Sequence, residues 1–129
     1  MTTPLKQILY VEDDADIRKI TEMTLSMLGN FDITACECGQ DALEKAKTTH
    51  AQLVILDVMM PDMDGPTVFR HLRTYDAYKD TPIVFMTAKV QANEIAAYMD
   101  MGAVGVIPKP YEPAELPGQI QALWEKSQG

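Results

Sequence analysis

The sequence predicts an α/β domain in which a parallel β-sheet is covered by helices on both faces. Four apolar runs, Ile8-Leu9-Tyr10-Val11, Leu53-Val54-Ile55-Leu56, Ile83-Val84-Phe85-Met86 and Val104-Gly105-Val106-Ile107, are continuous rather than alternating, as strands buried on both faces require. Stretches of helical period separate them, and this βαβα alternation argues for parallel strands with right-handed crossovers. Each run also stops at a polar or charged group: Glu12-Asp13-Asp14, Asp57, Thr87 and, one proline further on, Lys109. In parallel strands those ends meet on one rim, where open α/β sheets bind ligands.

The elements follow in order. A first helix is expected over Ala15 to Leu28, with Ile17, Ile20, Thr21, Thr24 and Leu28 facing the sheet and Gly29 capping its end. Asp32 to Glu37 reads as a short second strand, and Gln40 to Thr48 as a helix turning Ala42, Leu43 and Ala46 inward. Asp64-Gly65-Pro66 supplies an N-cap and a first-turn proline for a third helix to about Arg73, packing through Val68, Phe69 and Leu72. A fourth helix spans roughly Gln91 to Met101 and ends at Gly102. The last helix turns Leu116, Ile120 and Leu123 inward and starts near Pro113 or at Pro117, because proline at a fifth helical position clashes with the carbonyl four residues back.

With 129 residues the chain fits one domain, and no linker, repeat or second domain is expected. A net charge of -8 opposes the phosphate-neutralising surface of nucleic-acid binders, so direct DNA contact is not expected. The acidic first twenty residues do not resemble a signal peptide and no apolar run reaches membrane-span length, so a cytoplasmic location is the expectation.

Several residues that invite functional readings are better explained as structure. Cys36 and Cys38, in a C-x-C spacing without nearby histidines, form no recognisable zinc set and read as reduced, inert thiols. His50 and His71 stand alone, and Trp124 reads as a packing residue late in the last helix. Asp14 is placed to cap the first helix rather than to complete an acidic pocket.

Four motifs remain, in order and each at a strand end: Glu12-Asp13-Asp14, Asp57 with Met60-Pro61-x-x-Asp64-Gly65, Thr87-Ala88, and Lys109-Pro110. Over essentially its whole length the chain resembles a response-regulator receiver domain of the chemotaxis-protein, flavodoxin-like fold. The resemblance implies a doubly wound five-stranded parallel sheet of order 2-1-3-4-5, residues 1–129 forming a single receiver domain. In that order the first and third strands flank the topological switch point, so Glu12, Asp13 and Asp57 share one crevice. The last strand becomes an edge, which accommodates Gly105 and Pro108.

Three clustered carboxylates repel one another, and a hard divalent cation relieves them; Mg²⁺ is expected, with Mn²⁺ able to substitute. By resemblance, Asp13, Asp57 and the backbone carbonyl of Met59 ligate it directly and Glu12 acts mainly through water. Asp57 is then the phosphorylated residue, supplied by a histidine kinase or a histidine phosphotransfer protein, with Lys109, Thr87 and the Ala88 N–H contacting the phosphoryl group. Thr87 is expected to act as the switch, reporting to a downstream protein through the fourth helix, fifth strand and fifth helix. Receivers commonly pair that switch with an aromatic residue in the fifth strand, where this chain has Val106, a β-branched residue with little χ1 freedom and no ring to move. The Lys109–Pro110 bond is expected to be cis, to aim the ammonium at Asp57.

Two rival readings are weaker. An aspartate-nucleophile phosphohydrolase of the haloacid-dehalogenase type usually carries a second Asp two residues after the first, where this chain has Met59. A degenerate receiver serving only as a binding module would have lost the acidic pocket, Asp57 or Lys109, and all are present. The chain is therefore expected to catalyse only its own phosphorylation and dephosphorylation and not to be an enzyme in the usual sense.

Overall fold

The structure is a computed structural model that describes residues 3–129. Five strands, β1 (Gln7–Val11), β2 (Asp32–Cys36), β3 (Leu53–Asp57), β4 (Ile83–Thr87) and β5 (Gly105–Pro108), alternate with α1 (Ala15–Gly29), α2 (Gly39–Thr49), α3 (Gly65–Arg73), α4 (Ala92–Met101) and α5 (Leu116–Gln128). All neighbouring strands are parallel and the order is β2-β1-β3-β4-β5, as the resemblance implied.

Strand pleating divides the core into two layers. Leu9, Val11, Val54, Leu56, Ile83 and Phe85 face one way, packing with Ala42, Leu43, Ala46, Val68, Phe69 and Leu72 of α2 and α3. Ile8, Tyr10, Leu53, Ile55, Val84 and Met86 face the other, packing with Leu25 of α1 and Leu116, Ile120 and Trp124 of α5. Each fully buried aliphatic side chain contributes about 1.5–3 kcal/mol, so both helix layers are needed to retain the sheet.

Local chemistry sets the helix ends. The Asp64 carboxylate accepts from Thr67 N at 2.9 Å, with Pro66 in the first turn of α3. The Gln91 N–H donates to Glu94 Oε1 at 3.1 Å at the start of α4, and Gly102 closes that helix at φ 110°.

Two expectations need correction. In α1 the residues turned to the sheet are Thr21 and Leu25, whereas Ile20, Met23, Met27 and Leu28 are all more than half exposed and Ile17 is also at the surface. The aliphatic residues form a band wider than the face this helix buries, opposite Lys19, Glu22 and Ser26, so spacing by itself does not select the buried side. Nor is Gly29 the cap. It is the last helical residue, Asn30 takes the left-handed position at φ 59°, and a Cβ on Gly29 would lie 2.7 Å from the Phe31 ring.

The open question of the last helix is settled by a 3₁₀ turn over Pro113–Glu115, after which α5 starts at Leu116 with Pro117 in its first turn, where no N–H is needed. Leu116, Ile120 and Trp124 are buried there and Leu123 is half-buried. Trp124 is the expected packing residue, its indole N–H donating to Thr3 O at 3.0 Å. The Lys109–Pro110 peptide is cis. Among the described residues no helix is long and apolar enough to cross a membrane.

Candidate functional site

Strand register assembles the site. Val11 is level with Leu56 across the β1–β3 pair, so Glu12 and Asp57 emerge at the same height from adjacent strands. Asp57 is level with Met86, which places Thr87 one residue beyond, and Thr87 is level with Pro108, the residue before Lys109. Motifs far apart in sequence thus converge on the carboxyl ends of β1, β3, β4 and β5.

At the centre, Lys109 Nζ lies 2.6 Å from Glu12 Oε1 and 2.9 Å from Asp57 Oδ1. Both carboxylates are buried. Burial pushes the Asp57 carboxyl up to about 7; the hydrogen bond from Lys109 opposes that rise and the charge of Glu12 adds to it. Burial works against the Lys109 charge too, yet its hydrogen bonds to Glu12 and Asp57 and their negative charge outweigh that, and its pKa stands above the ordinary lysine value. The two shifts agree physically: one ammonium is shared by two buried carboxylates and does not fully compensate the burial of Asp57.

Glu12, Asp13 and Asp57 each present a carboxylate oxygen, all within 4.8 Å of one another. Hard anionic oxygens at that spacing suit Mg²⁺ or Mn²⁺, so the donor set fits the cation. Asp13 is the exposed member and gives the cluster an open side. The Asp14 carboxylate instead caps α1, accepting from the N–H groups of Asp16 and Ile17, both at 3.0 Å, while its own N–H donates to Glu12 Oε2 at 3.2 Å.

The surroundings place the remaining predicted residues. Thr87 is buried, its hydroxyl accepts from Lys89 N at 3.0 Å, and its carbonyl accepts from Lys109 N at 2.9 Å. The hydroxyl proton of Thr87 is therefore left to donate elsewhere. Ala88 is exposed at the rim, Met59 is 58 % exposed, and Val106 is half-buried in β5. Gly65 has a second role beyond the start of α3. A Cβ there would lie 2.5 Å from Asp57 O, so only glycine lets the helix approach the strand end this closely.

Sequence reasoning missed a second set of contacts beside the site. Arg18 of α1 donates to Glu12 O at 2.8 Å. The hydroxyls of Thr21 and Tyr111, 90 residues apart, are hydrogen-bonded to one another. No local pattern marks this pair. It exists because α1 and the segment after β5 pack on the same side of the sheet.

Comparison with known proteins agrees with this geometry. The family model for the response regulator receiver domain matches residues 8–121. A probable transcriptional regulator, ycf27, of Porphyridium aerugineum is 36 % identical over 118 residues, covering 92 % of this chain and 48 % of that protein. The alkaline phosphatase synthesis transcriptional regulatory protein PhoP of Bacillus subtilis is 32 % identical over 123 residues, covering 95 % of this chain and 50 % of its own length. The chain thus spans about half the length of the curated relatives it matches. The chemotaxis protein CheY4 of Vibrio cholerae superposes with a TM-score of 0.86 at 29 % identity, over 93 % of this chain and 99 % of that one. The phosphohydrolase reading is not favoured by these matches. The acidic crevice, the sheet order and the matched residues have one common explanation: this chain belongs to the response regulator receiver family, the receiving module of phosphorylation-based two-component signalling.

Proposed function

We propose that Asp57 accepts a phosphoryl group from a phosphohistidine of a histidine kinase or histidine phosphotransfer protein. The observation that carries this reading is the convergence of the Glu12, Asp13 and Asp57 carboxylates and the Lys109 ammonium on one strand-end crevice. An Asp57 carboxylate oxygen attacks phosphorus, the new O–P bond forms as the N–P bond to the donor imidazole breaks, and the imidazole leaves with the electron pair and takes up a proton. Asp13, Asp57 and the backbone carbonyl of Met59 would hold Mg²⁺ or Mn²⁺, with Glu12 acting mainly through water, and the ion would neutralise charge on the transferring phosphoryl oxygens. Lys109 turns from the carboxylates to those oxygens, and the Thr87 hydroxyl and Ala88 N–H donate to them.

The added charge and acceptors at Asp57 draw Thr87 and its loop inward. The signal then passes to a downstream protein through α4, β5 and α5, without an aromatic ring at Val106 to move with Thr87. Residues 1–129 act in this reading as a single receiver domain, catalysing no more than its own phosphorylation and dephosphorylation, in the cytoplasm and without direct nucleic-acid contact.

Intact-mass measurement of the wild type and Asp57→Asn with a phosphodonor tests the assignment. One phosphoryl addition is expected in the wild type, none in the variant, and none in the presence of a chelator. Uptake by the Asn variant, or uptake undiminished by the chelator, overturns it.

A further inference from the structure

Phosphoryl transfer at Asp57 needs the Lys109 ammonium at a fixed point, yet Lys109 is a long flexible side chain on a segment with few backbone anchors. Pro108, Pro110 and Pro113 have no N–H to donate. The N–H of Lys109 itself is held by Thr87 O at 2.9 Å. Beyond that point the Tyr111 hydroxyl provides a tie, bonded to Thr21 on α1. Three residues earlier on that helix, Arg18 holds the Glu12 carbonyl at 2.8 Å. Residues three apart lie on neighbouring parts of one helix surface, so α1 grips both the strand end that carries Glu12 and the segment that carries Lys109.

The chemistry of the contact is specific. Thr21 is buried one turn before the buried Leu25, a position where valine would fill nearly the same volume without a hydroxyl. The Tyr10 hydroxyl, buried as well, adjoins both Thr21 and Tyr111. Hydroxyls in an apolar layer are costly unless paired, and a paired one is directional in a way that aliphatic packing is not.

We propose that Thr21 and Tyr111 are positioning residues for phosphoryl transfer: their hydroxyl contact fastens the Pro108–Pro113 segment to α1 and thereby sets the Lys109 ammonium against Glu12 and Asp57. The proposal rests on Asp57 being the phosphoacceptor. Neither residue touches the reacting atoms; both act through Lys109.

The test uses the whole chain with saturating Mg²⁺ and acetyl phosphate as donor, following the initial rate of uptake against donor concentration in Tyr111→Phe, Thr21→Val, Thr21→Ser and the double variant Thr21→Val/Tyr111→Phe. The Phe and Val variants should lose about tenfold in maximal rate with the donor half-saturation unchanged, since misplacing a charge-stabilising group by about 1 Å costs up to roughly a hundredfold. The Ser variant should recover the rate, and the double variant should be no slower than either single one. A second readout needs no transfer: in the unphosphorylated protein, the ¹⁵N-labelled Lys109 ammonium protons should exchange slowly with water in the wild type and Ser variant and fast in the Phe and Val variants. Wild-type uptake at Asp57 with unslowed Phe and Val variants, or an equally protected Lys109 ammonium in them, overturns the proposal alone. Wild-type protein that takes up no phosphate on Asp57 overturns the phosphoacceptor reading, and the proposal with it.

Discussion

Lys109 Nζ lies 2.9 Å from Asp57 Oδ1, joining two residues 52 positions apart at the mouth of the sheet. The same ammonium stands 2.6 Å from Glu12 Oε1, so a single cation is divided between two buried carboxylates. The crevice therefore holds an excess of negative charge in the unphosphorylated chain, a strain that a divalent cation relieves.

That imbalance has a measurable consequence for stability. In chelator at mildly alkaline pH, where Asp57 is ionised, Asp57→Asn should stabilise the protein by about 1–2 kcal/mol, because it removes one of two mutually repelling buried charges and leaves Lys109 paired with Glu12. Lys109→Ala should destabilise it by about 2 kcal/mol under the same conditions, since both carboxylates lose their partner. Urea denaturation of the two variants and the wild type checks both signs. Added Mg²⁺ should raise the melting temperature of Lys109→Ala more than that of the wild type.

The Asp64 cap provides a pH test away from the crevice. Its hydrogen bond with Thr67, partly offset by burial and aided by the charge of Arg70, lowers its pKa below the ordinary carboxylate value. A depressed folded-state pKa gives stability that is present above the unfolded value, near 4, and is lost as pH falls through the folded one. Asp64→Ala should cost about 1 kcal/mol at neutral pH. The difference from wild type should shrink to nothing in acid below that lowered pKa, as chemical denaturation at a series of pH values would show.

Phosphoryl lifetime should be long. Met59, two residues after Asp57, is largely exposed and cannot orient an attacking water through hydrogen bonds, and the exposed Lys89 ammonium donates without accepting a proton. Met59→Asn should speed dephosphorylation, each tenfold change corresponding to about 1.4 kcal/mol in the barrier. Phosphate release from the pre-phosphorylated proteins at saturating Mg²⁺ is the measurement, and equal rates would refute the water-positioning argument.

Cys36 should be inert. It is buried, and desolvation, reinforced by the nearby Asp41 charge, pushes its thiol up to about 12. Iodoacetamide at mildly alkaline pH should leave Cys36 unmodified in the native protein and alkylate it once the protein is unfolded, which peptide mapping resolves.

Sequence alone determined the α/β class, the four continuous strands and the polar residue closing each one, because continuous apolarity, helical period and cap chemistry are local properties of the chain. The Asp64 N-cap, the Asp14 cap of α1 and the inward sets of α2 and α3 were legible for the same reason. The strand order came from resemblance to a known family, since no local pattern says which strands become neighbours. Tertiary structure decided what depends on distance. It selected Thr21 and Leu25 as the buried side of an α1 whose aliphatic band is wider than the face it buries, and it placed the Lys109 ammonium on Glu12 and Asp57 together. It also brought the Tyr111 hydroxyl to Thr21 across 90 residues. Such contacts arise from packing two layers against one sheet, and only the folded chain brings their partners within reach.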